Sequence, residues 1–378
     1  MTVCYFGTYS KAEGYNRNRV IIKGLRQNGV EVKECHADLW KSRADKIKGI
    51  KSLHYNLKLI LHFIFTYISL IVKFFRIGKY DILIVGYAGH LDVFLAKILN
   101  LFRKRPLIFD VFLSLYDAAV NEYKAVKTGS LKADLLRLID RYSCCFADCV
   151  LLDTNEHIKY FSEQFRLPRE KFLRIFIGQD DEIFKPVKRY ENDNSPIEVL
   201  FFGTYIPLHG IEHIIGAAKE LEKVNNIHFT LVSKGHLYEQ MHNLASRFNL
   251  GNISFVGHWV NYSELIKYIS RADICLGIFG TTEKAKRVIP SKVYDCLAMA
   301  KPVITGDSPA AKEVFIHREH ILLCQMGDAF AIASAILELK NNPELKSRIA
   351  ENGYELFKAK FTPRQLGKSV REGIELLL

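Results

Sequence analysis

Residues Ala272–Phe315 read ADICLGIFGTTEKAKRVIPSKVYDCLAMAKPVITGDSPAAKEVF. The apolar run Ile274–Ile278 has the length and composition of a buried strand, and a Gly-, Thr- and Lys-rich loop follows it to Pro290-Ser291-Lys292. Helical spacing through Val293, Leu297 and Met299 comes next, then a second strand over Pro302–Thr305 that ends in the turn Gly306-Asp307-Ser308-Pro309. Strand, polar loop, helix, strand is a parallel α/β pattern that brings two loops to one sheet edge.

The junction at Ser291 joins a loop to a helix N-terminus, where free backbone N–H groups and the helix dipole favour an anion. Lys284, Lys286, Arg287 and Lys292 crowd the same place, so a phosphate is the expected guest.

These residues resemble the nucleotide-sugar site of family-4 glycosyltransferases, retaining enzymes of the GT-B fold. That family carries two glutamates with seven residues between them, the second opening an E-A-M-A-x-G-x-P-V run. Here the run is Asp295-Cys296-Leu297-Ala298-Met299-Ala300-Lys301-Pro302-Val303, so Asp295 matches the second acid, and Arg287 stands where the first would be. The resemblance implies that Asp295 holds the donor ribose, whereas Arg287 breaks the pattern and is expected instead to serve the diphosphate, as a candidate catalytic group. Glu313, in the helix after the Gly306-Asp307-Ser308-Pro309 turn, is a secondary candidate for contacting the sugar or the ribose.

Outward from this stretch, the alternation of strands and helices continues in both directions. Val199–Phe202 reads as a strand, followed by Gly203-Thr204-Tyr205-Ile206-Pro207-Leu208-His209-Gly210 and a helix over Ile211–Leu221. In the resembling family a G-R-L-x-x-x-K-G loop here gives an arginine and a lysine to the diphosphate. Gly203 and Gly210 match, whereas Thr204 and His209 replace the cations, and Lys284, Arg287 and Lys292 are expected to make up the missing charge. Arg174 to Pro186 resembles the N-G-V-D-x-x-x-F-x-P signature at the end of the family's N-domain, through Gly178, Asp180, Phe184 and Pro186.

The N-terminal half opens as a βαβ unit: a strand over Val3–Phe6, a loop from Gly7, a helix through Leu25 and a strand near Val30–Lys33. No G-x-G-x-x-G fingerprint is present, which weighs against an ordinary dinucleotide site. Tyr9, Arg17 and Arg19 are candidates for an acceptor or phosphate loop, with a solvated helix start as the alternative for the two arginines. His90 and Asp92 follow the strand Asp81–Val85, at the carboxyl end where α/β sheets place ligands, and are candidate catalytic groups. For His90 a capping or loop-packing role is the alternative.

The chain has 378 residues, about half hydrophobic and a quarter charged, enough for two cores. The expected organisation is a GT-B pair of Rossmann-like, doubly wound α/β domains facing a cleft. They comprise 1–187 for the acceptor, a polar linker 188–196, 197–361 for the nucleotide sugar, and a helix 362–378 crossing back. Net charge is +12, and residues 1–80 hold fifteen Lys/Arg against five Asp/Glu. Within 41–79, cations flank the fourteen-residue apolar run Leu59–Val72, which falls short of the roughly 20 residues a membrane span needs. A helix lying on an anionic membrane surface fits it, and so does a helix packed on the sheet. The eight cysteines lack CxxC pairs and read as reduced core thiols, with no metal site.

Met1–Gly7 passes straight into a strand without a signal-peptide pattern, so the expected location is cytoplasmic, peripheral on the inner face of the cell membrane. The expected activity is transfer of a sugar from a nucleotide diphosphate sugar to a lipid-linked or membrane-surface glycan acceptor, in polysaccharide or glycolipid biosynthesis, with no further cofactor. An inactive membrane-associated scaffold and a GT-B epimerase are the competing readings. Nucleic-acid binding is disfavoured, because the basic excess interleaves with an apolar run and not with spaced stacking aromatics.

Overall fold

The computed structural model describes residues 1–14, 16–39, 57–187 and 196–378. Lys41, Arg43, Lys46, Lys48 and Lys51 of the basic stretch, and residues 188–195 of the expected linker, lie outside the described residues. In chain order the first half forms β1 (Thr2–Gly7), α1 (Asn16–Gln27), β2 (Glu31–His36), α2 (Leu57–Arg76), β3 (Ile82–Val85), α3 (Asp92–Asn100), β4 (Leu107–Asp110), α4 (Leu131–Phe146), β5 (Cys149–Leu152), α5 (Asn155–Phe165) and β6 (Phe172–Arg174). The second half forms β7 (Ile197–Phe202), α6 (Ile211–Glu220), β8 (Ile227–Val232), α7 (Tyr238–Arg247), β9 (Ile253–Val256), α8 (Tyr262–Arg271), β10 (Ile274–Leu276), α9 (Glu283–Arg287), α10 (Ser291–Ala298), β11 (Val303–Gly306), α11 (Pro309–Lys312), β12 (Leu322–Cys324), α12 (Ala329–Asn341), α13 (Pro343–Lys360) and α14 (Pro363–Glu375).

Two six-stranded sheets result, ordered β2-β1-β3-β4-β5-β6 and β12-β11-β10-β7-β8-β9, with every pairing parallel. Helices cover both faces of each sheet, so central strands are apolar without alternation, as in Ile82-Leu83-Ile84-Val85, all buried. Each sheet has its own compact unit. One comprises Met1–Asp153, Ile158–Ile177 and Pro363–Leu378; the other comprises Thr154–His157 and Gly178–Thr362.

In the first unit, α1 and α14 cover one face of the sheet, around Val20, Leu25, Leu366 and Val370. They cross at glycines: a Cβ on Gly24 would lie 1.9 Å from the Pro363 carbonyl oxygen, and one on Gly367 would lie 2.0 Å from the Gly24 carbonyl carbon. Alanine normally stabilises a helix interior by about 1 kcal/mol over glycine. Here Gly24→Ala is expected to do the opposite, lowering stability by about 1–3 kcal/mol through overpacking. Urea denaturation of the full chain checks the sign, and a stabilised variant would contradict the packing described.

The other face carries α2, α3, α4 and α5 over a core that includes Leu70, Phe74, Val93, Ala96, Cys144 and Phe161. α2 has two sides: Leu70 and Phe74 are wholly buried, while Ile60, Ile64, Phe65, Ile68, Val72 and Phe75 are exposed. Among the described residues no helix is long and apolar enough to cross a membrane. All eight cysteines are free, and seven are buried.

Candidate active site

The second sheet changes direction between β7 and β10, since the chain moves from β7 to β8 on one side and reaches β10 on the other. Loops leaving these neighbours diverge, and a crevice opens at their carboxyl ends, where doubly wound sheets bind ligands. Hydrogen bonds hold its walls together: Phe279 N–H donates to the His209 carbonyl at 3.0 Å, and Gly306 N–H donates to that of Ile278 at 2.9 Å.

Gly203 ends β7 with φ at +139°, a conformation that an L side chain rarely adopts. A Cβ there would lie 2.8 Å from Lys292 Nζ and 3.1 Å from His209 Cε1, so an ammonium and an imidazole close in on bare backbone. His209 is buried, and its Nδ1 contacts the Thr204 carbonyl, an acceptor only, so Nδ1 carries the proton. Lys292 lies in the first turn of α10, directly after exposed Ser291. Its Nζ is buried 3.9 Å from the centroid of the Phe201 ring and has no hydrogen-bond partner among the described residues. Burial holds the Lys292 ammonium well below the ordinary lysine range, with Cys296 and Asp295 pulling weakly the other way.

Asp295, one turn further along α10, is also buried and accepts a hydrogen bond from Gln179 Nε2. Lys284 and Arg287 sit on the short helix α9, capped at its start by the Thr282 hydroxyl. The Arg287 carbonyl accepts from the Thr154 hydroxyl, and Lys286 pairs with Glu283 at 2.7 Å. Of the four expected cations, Lys292 is the one whose charged atom is placed against Gly203. Glu313 accepts from the N–H groups of Asn155 and Glu156 at 2.8 and 2.9 Å, so its carboxylate caps the start of α5.

The first sheet repeats the arrangement with opposite charge. It changes direction between β1 and β3, and β1 ends in Phe6-Gly7-Thr8-Tyr9, the same tetrapeptide as Phe202-Gly203-Thr204-Tyr205. Gly7 has φ at +133°, and a Cβ on it would lie 2.6 Å from Asp92 Oδ2. Asp92 opens α3 across the change of direction, as Lys292 opens α10. Its carboxylate accepts from Thr8 N–H at 2.7 Å, the Thr8 hydroxyl at 3.0 Å and the Tyr67 hydroxyl at 2.7 Å. Burial pushes the Asp92 carboxyl up, against those hydrogen bonds. One unit thus fills this position with a bonded carboxylate, the other with a buried amine that has no hydrogen-bond partner among the described residues.

The alternative of a solvated helix start fails for Arg17, whose side chain is 2% exposed. Its Nε donates to both oxygens of Asp110 at 2.7 and 2.8 Å, and its Nη1 donates to the Ile175 carbonyl at 2.9 Å. Arg19 is half-buried on the same helix. Tyr9 is buried and donates its hydroxyl to Glu34 at 2.9 Å. His90 Nε2 lies 3.1 Å from the Leu113 carbonyl and 3.3 Å from Asp140 Oδ1, which leaves Nδ1 buried and unbonded among the described residues. Asp140 also accepts from Ser114, Leu115 and Tyr116, so it organises the loop around His90. Sequence reasoning misses Gln179, Tyr67 and Asp140, which act through partners far along the chain. The repeated Phe-Gly-Thr-Tyr is a signal in the sequence that pairs the two loops and went unread.

Among the described residues no group of three or more His, Cys, Asp or Glu is placed to hold a metal ion. Comparison with known proteins gives a match of residues 181–356 to the family model "Glycosyl transferases group 1". An uncharacterized glycosyltransferase of Methanocaldococcus jannaschii is 27% identical over 185 residues, covering 47% of this chain and 48% of that protein. The lipopolysaccharide core biosynthesis glycosyltransferase LpsD of Rhizobium meliloti is 23% identical over 169 residues, covering 44% and 46%. The chain spans about half the length of these two relatives. Among solved structures, Anabaena HepE in complex with UDP superposes with a TM-score of 0.70 at 15% identity, over 100% of both chains. The architecture of two parallel-sheet Rossmann-like units is that of the GT-B fold.

Proposed function

We propose, on the premise that residues 181–356 form a group 1 glycosyl transferase domain, that the chain is a retaining glycosyltransferase. In this reading it takes a sugar from a nucleotide diphosphate sugar and hands it to a lipid-linked or membrane-surface glycan acceptor, in polysaccharide or glycolipid biosynthesis. The observation that carries it is the buried Lys292 ammonium set against the bare backbone of Gly203 at a helix N-terminus. Such a place stabilises an anion strongly, because both the charge and the N–H dipoles act in a low dielectric. The Gly7 position, filled by the Asp92 carboxylate, repels one. In this reading the diphosphate therefore belongs to the second unit.

Chemically, the bond between the anomeric carbon and the terminal phosphate oxygen breaks as an acceptor hydroxyl oxygen bonds to that carbon from the same face, and the nucleoside diphosphate departs with the negative charge and takes up the hydroxyl proton. Lys292 and the first N–H groups of α10 stabilise that charge as it develops, and His209 adds to it when protonated. Asp295 holds the ribose hydroxyls, steadied by Gln179. His90, with its proton on Nε2 and Nδ1 open, and Asp92, which ties Thr8 to α3, are assigned to the sugar-facing side of the first unit. The outward apolar face of α2 supports assigning it to a membrane surface, and in this reading the enzyme works on the inner face of the cell membrane.

Asp295→Ala is expected to weaken nucleotide binding by roughly tenfold, the worth of one charge-assisted hydrogen bond, while leaving the fold intact. Calorimetry reads the affinity, and an unchanged value removes the ribose role. Retention is checked by NMR of the product's anomeric proton: product keeping the donor's configuration supports the mechanism, and inverted product overturns it.

A further inference from the structure

α2 is not alone in turning an apolar face outward. α3 runs into Ile98, Leu101 and Phe102, exposed by 59, 65 and 74%, and the Phe102 ring meets Phe75 of α2 at 6.1 Å. On its other side, Phe94 of α3 meets Phe146 of α4 at 5.4 Å, and α4 exposes Leu131, Leu135 and Leu138. The three helices cover the same face of the sheet, so their outer sides form one apolar surface. A contiguous patch of this kind marks an interaction site.

The charge around it is mainly positive, with Asp134 the exposed acid on α4 and Asp81 half-buried. Residues 57–146 contain thirteen Lys/Arg and seven Asp/Glu, and five of those acids, Asp92, Asp110, Asp117, Glu122 and Asp140, are buried. Where α3 gives way to β4, a groove of about 430 Å³ is lined by Lys97, Lys104 and Arg105 beside Leu101, Pro106 and Leu377. The one acid lining it, Asp148, has an oxygen engaged by the Leu107 N–H at 2.7 Å. Three cations therefore converge next to the most exposed apolar side chains of α3.

We propose that the outer face of α2, α3 and α4 docks on an anionic lipid bilayer, with a headgroup phosphate seated between Lys97, Lys104 and Arg105. Ile98, Leu101 and Phe102 then enter the acyl boundary. Mixed apolar and cationic chemistry matches that interface, where apolar burial and headgroup attraction add. The inference deepens the membrane-surface part of the proposed function and is independent of donor binding.

The test is sedimentation of the full chain with phosphatidylcholine vesicles, with and without phosphatidylglycerol, at low and high salt. Wild type is expected to pellet with the anionic vesicles and to be released by salt. Combined Lys97→Gln, Lys104→Gln and Arg105→Gln is expected to lose affinity for them on the order of 100-fold. Ile98→Ser with Phe102→Ser is expected to lose the binding that survives high salt. Unchanged melting temperatures show that both variants fold. Wild type left in the supernatant with every vesicle overturns the inference, as does a charge variant that pellets like wild type. Sedimentation velocity adds a third arm: self-association abolished by Phe102→Ser assigns the face to a second copy instead, and also overturns it. A chain that ignores vesicles yet binds nucleotide leaves the donor reading standing.

Discussion

Lys292→Met is expected to make the protein more stable and, in the same molecule, to weaken nucleoside diphosphate binding on the order of 100-fold. Methionine keeps the length of the buried stem and its contact with Phe201 while removing an amine that has no hydrogen-bond partner among the described residues. An unsatisfied buried polar group costs about 1–3 kcal/mol, so the gain at neutral pH should fall in that range. The pH dependence has a definite sign. Burial lowers the Lys292 pKa in the folded state from the ordinary 10.5, so the unfolded chain binds more protons between the two values. Wild-type stability therefore rises with pH through that window, and its deficit against the variant narrows up to about 10.5 and is constant above it. Denaturation at neutral and alkaline pH, with calorimetry against nucleotide, reads both effects. A destabilised variant with unaltered affinity would assign Lys292 to packing and not to the donor.

The second large effect is on folding. Arg17→Met should destabilise the first unit by about 3–5 kcal/mol, because it leaves the wholly buried Asp110 carboxylate without its cation and the Ile175 carbonyl without a donor. Asp110 already feels burial pushing its carboxyl up, opposed by Arg17, and removal of the guanidinium lifts it further. Pairing Arg17→Met with Asp110→Leu should recover much of the loss, since a buried ion pair replaced by apolar groups of similar volume is often neutral. Urea denaturation of both variants measures the difference. A loss below about 1 kcal/mol for the single substitution would mean that the pair is not what holds α1 to the sheet.

Much of this architecture is legible in the sequence because parallel strands buried on both faces announce themselves as short apolar runs. Ile82–Val85, Leu107–Asp110 and Ile274–Leu276 are of this kind, and their flanking turns fix their limits. The outer strands β6 and β12 escape, since three residues such as Phe172-Leu173-Arg174 carry too little pattern to separate a strand from a loop. The site was half legible. Lys292 is read from its place at a helix start, Gly203 and His209 from the resembling family's loop, and the structure brings the three together. Arg17 misleads because a cation near a glycine loop looks like a phosphate ligand, and its partner Asp110 lies 93 residues away. Glu313 misleads for a similar reason: its carboxylate is engaged by N–H groups 157 and 158 residues distant. Local spacing identifies which groups sit at a sheet edge, and only the packing decides which of them are already satisfied.

The most direct measurement is a thermal-shift and calorimetric screen of wild type and Lys292→Met against UDP, GDP, ADP, dTDP and CMP, with and without a divalent metal. A ligand that binds only the folded state raises stability by about 2.7 kcal/mol at a hundred times its dissociation constant. Wild type is expected to shift clearly with one diphosphate, which names the donor base, and Lys292→Met is expected to lose that shift. No shift with any of the five would contradict the donor reading and favour an inactive scaffold, and a shift equal in both proteins would place the diphosphate away from Gly203 and Lys292.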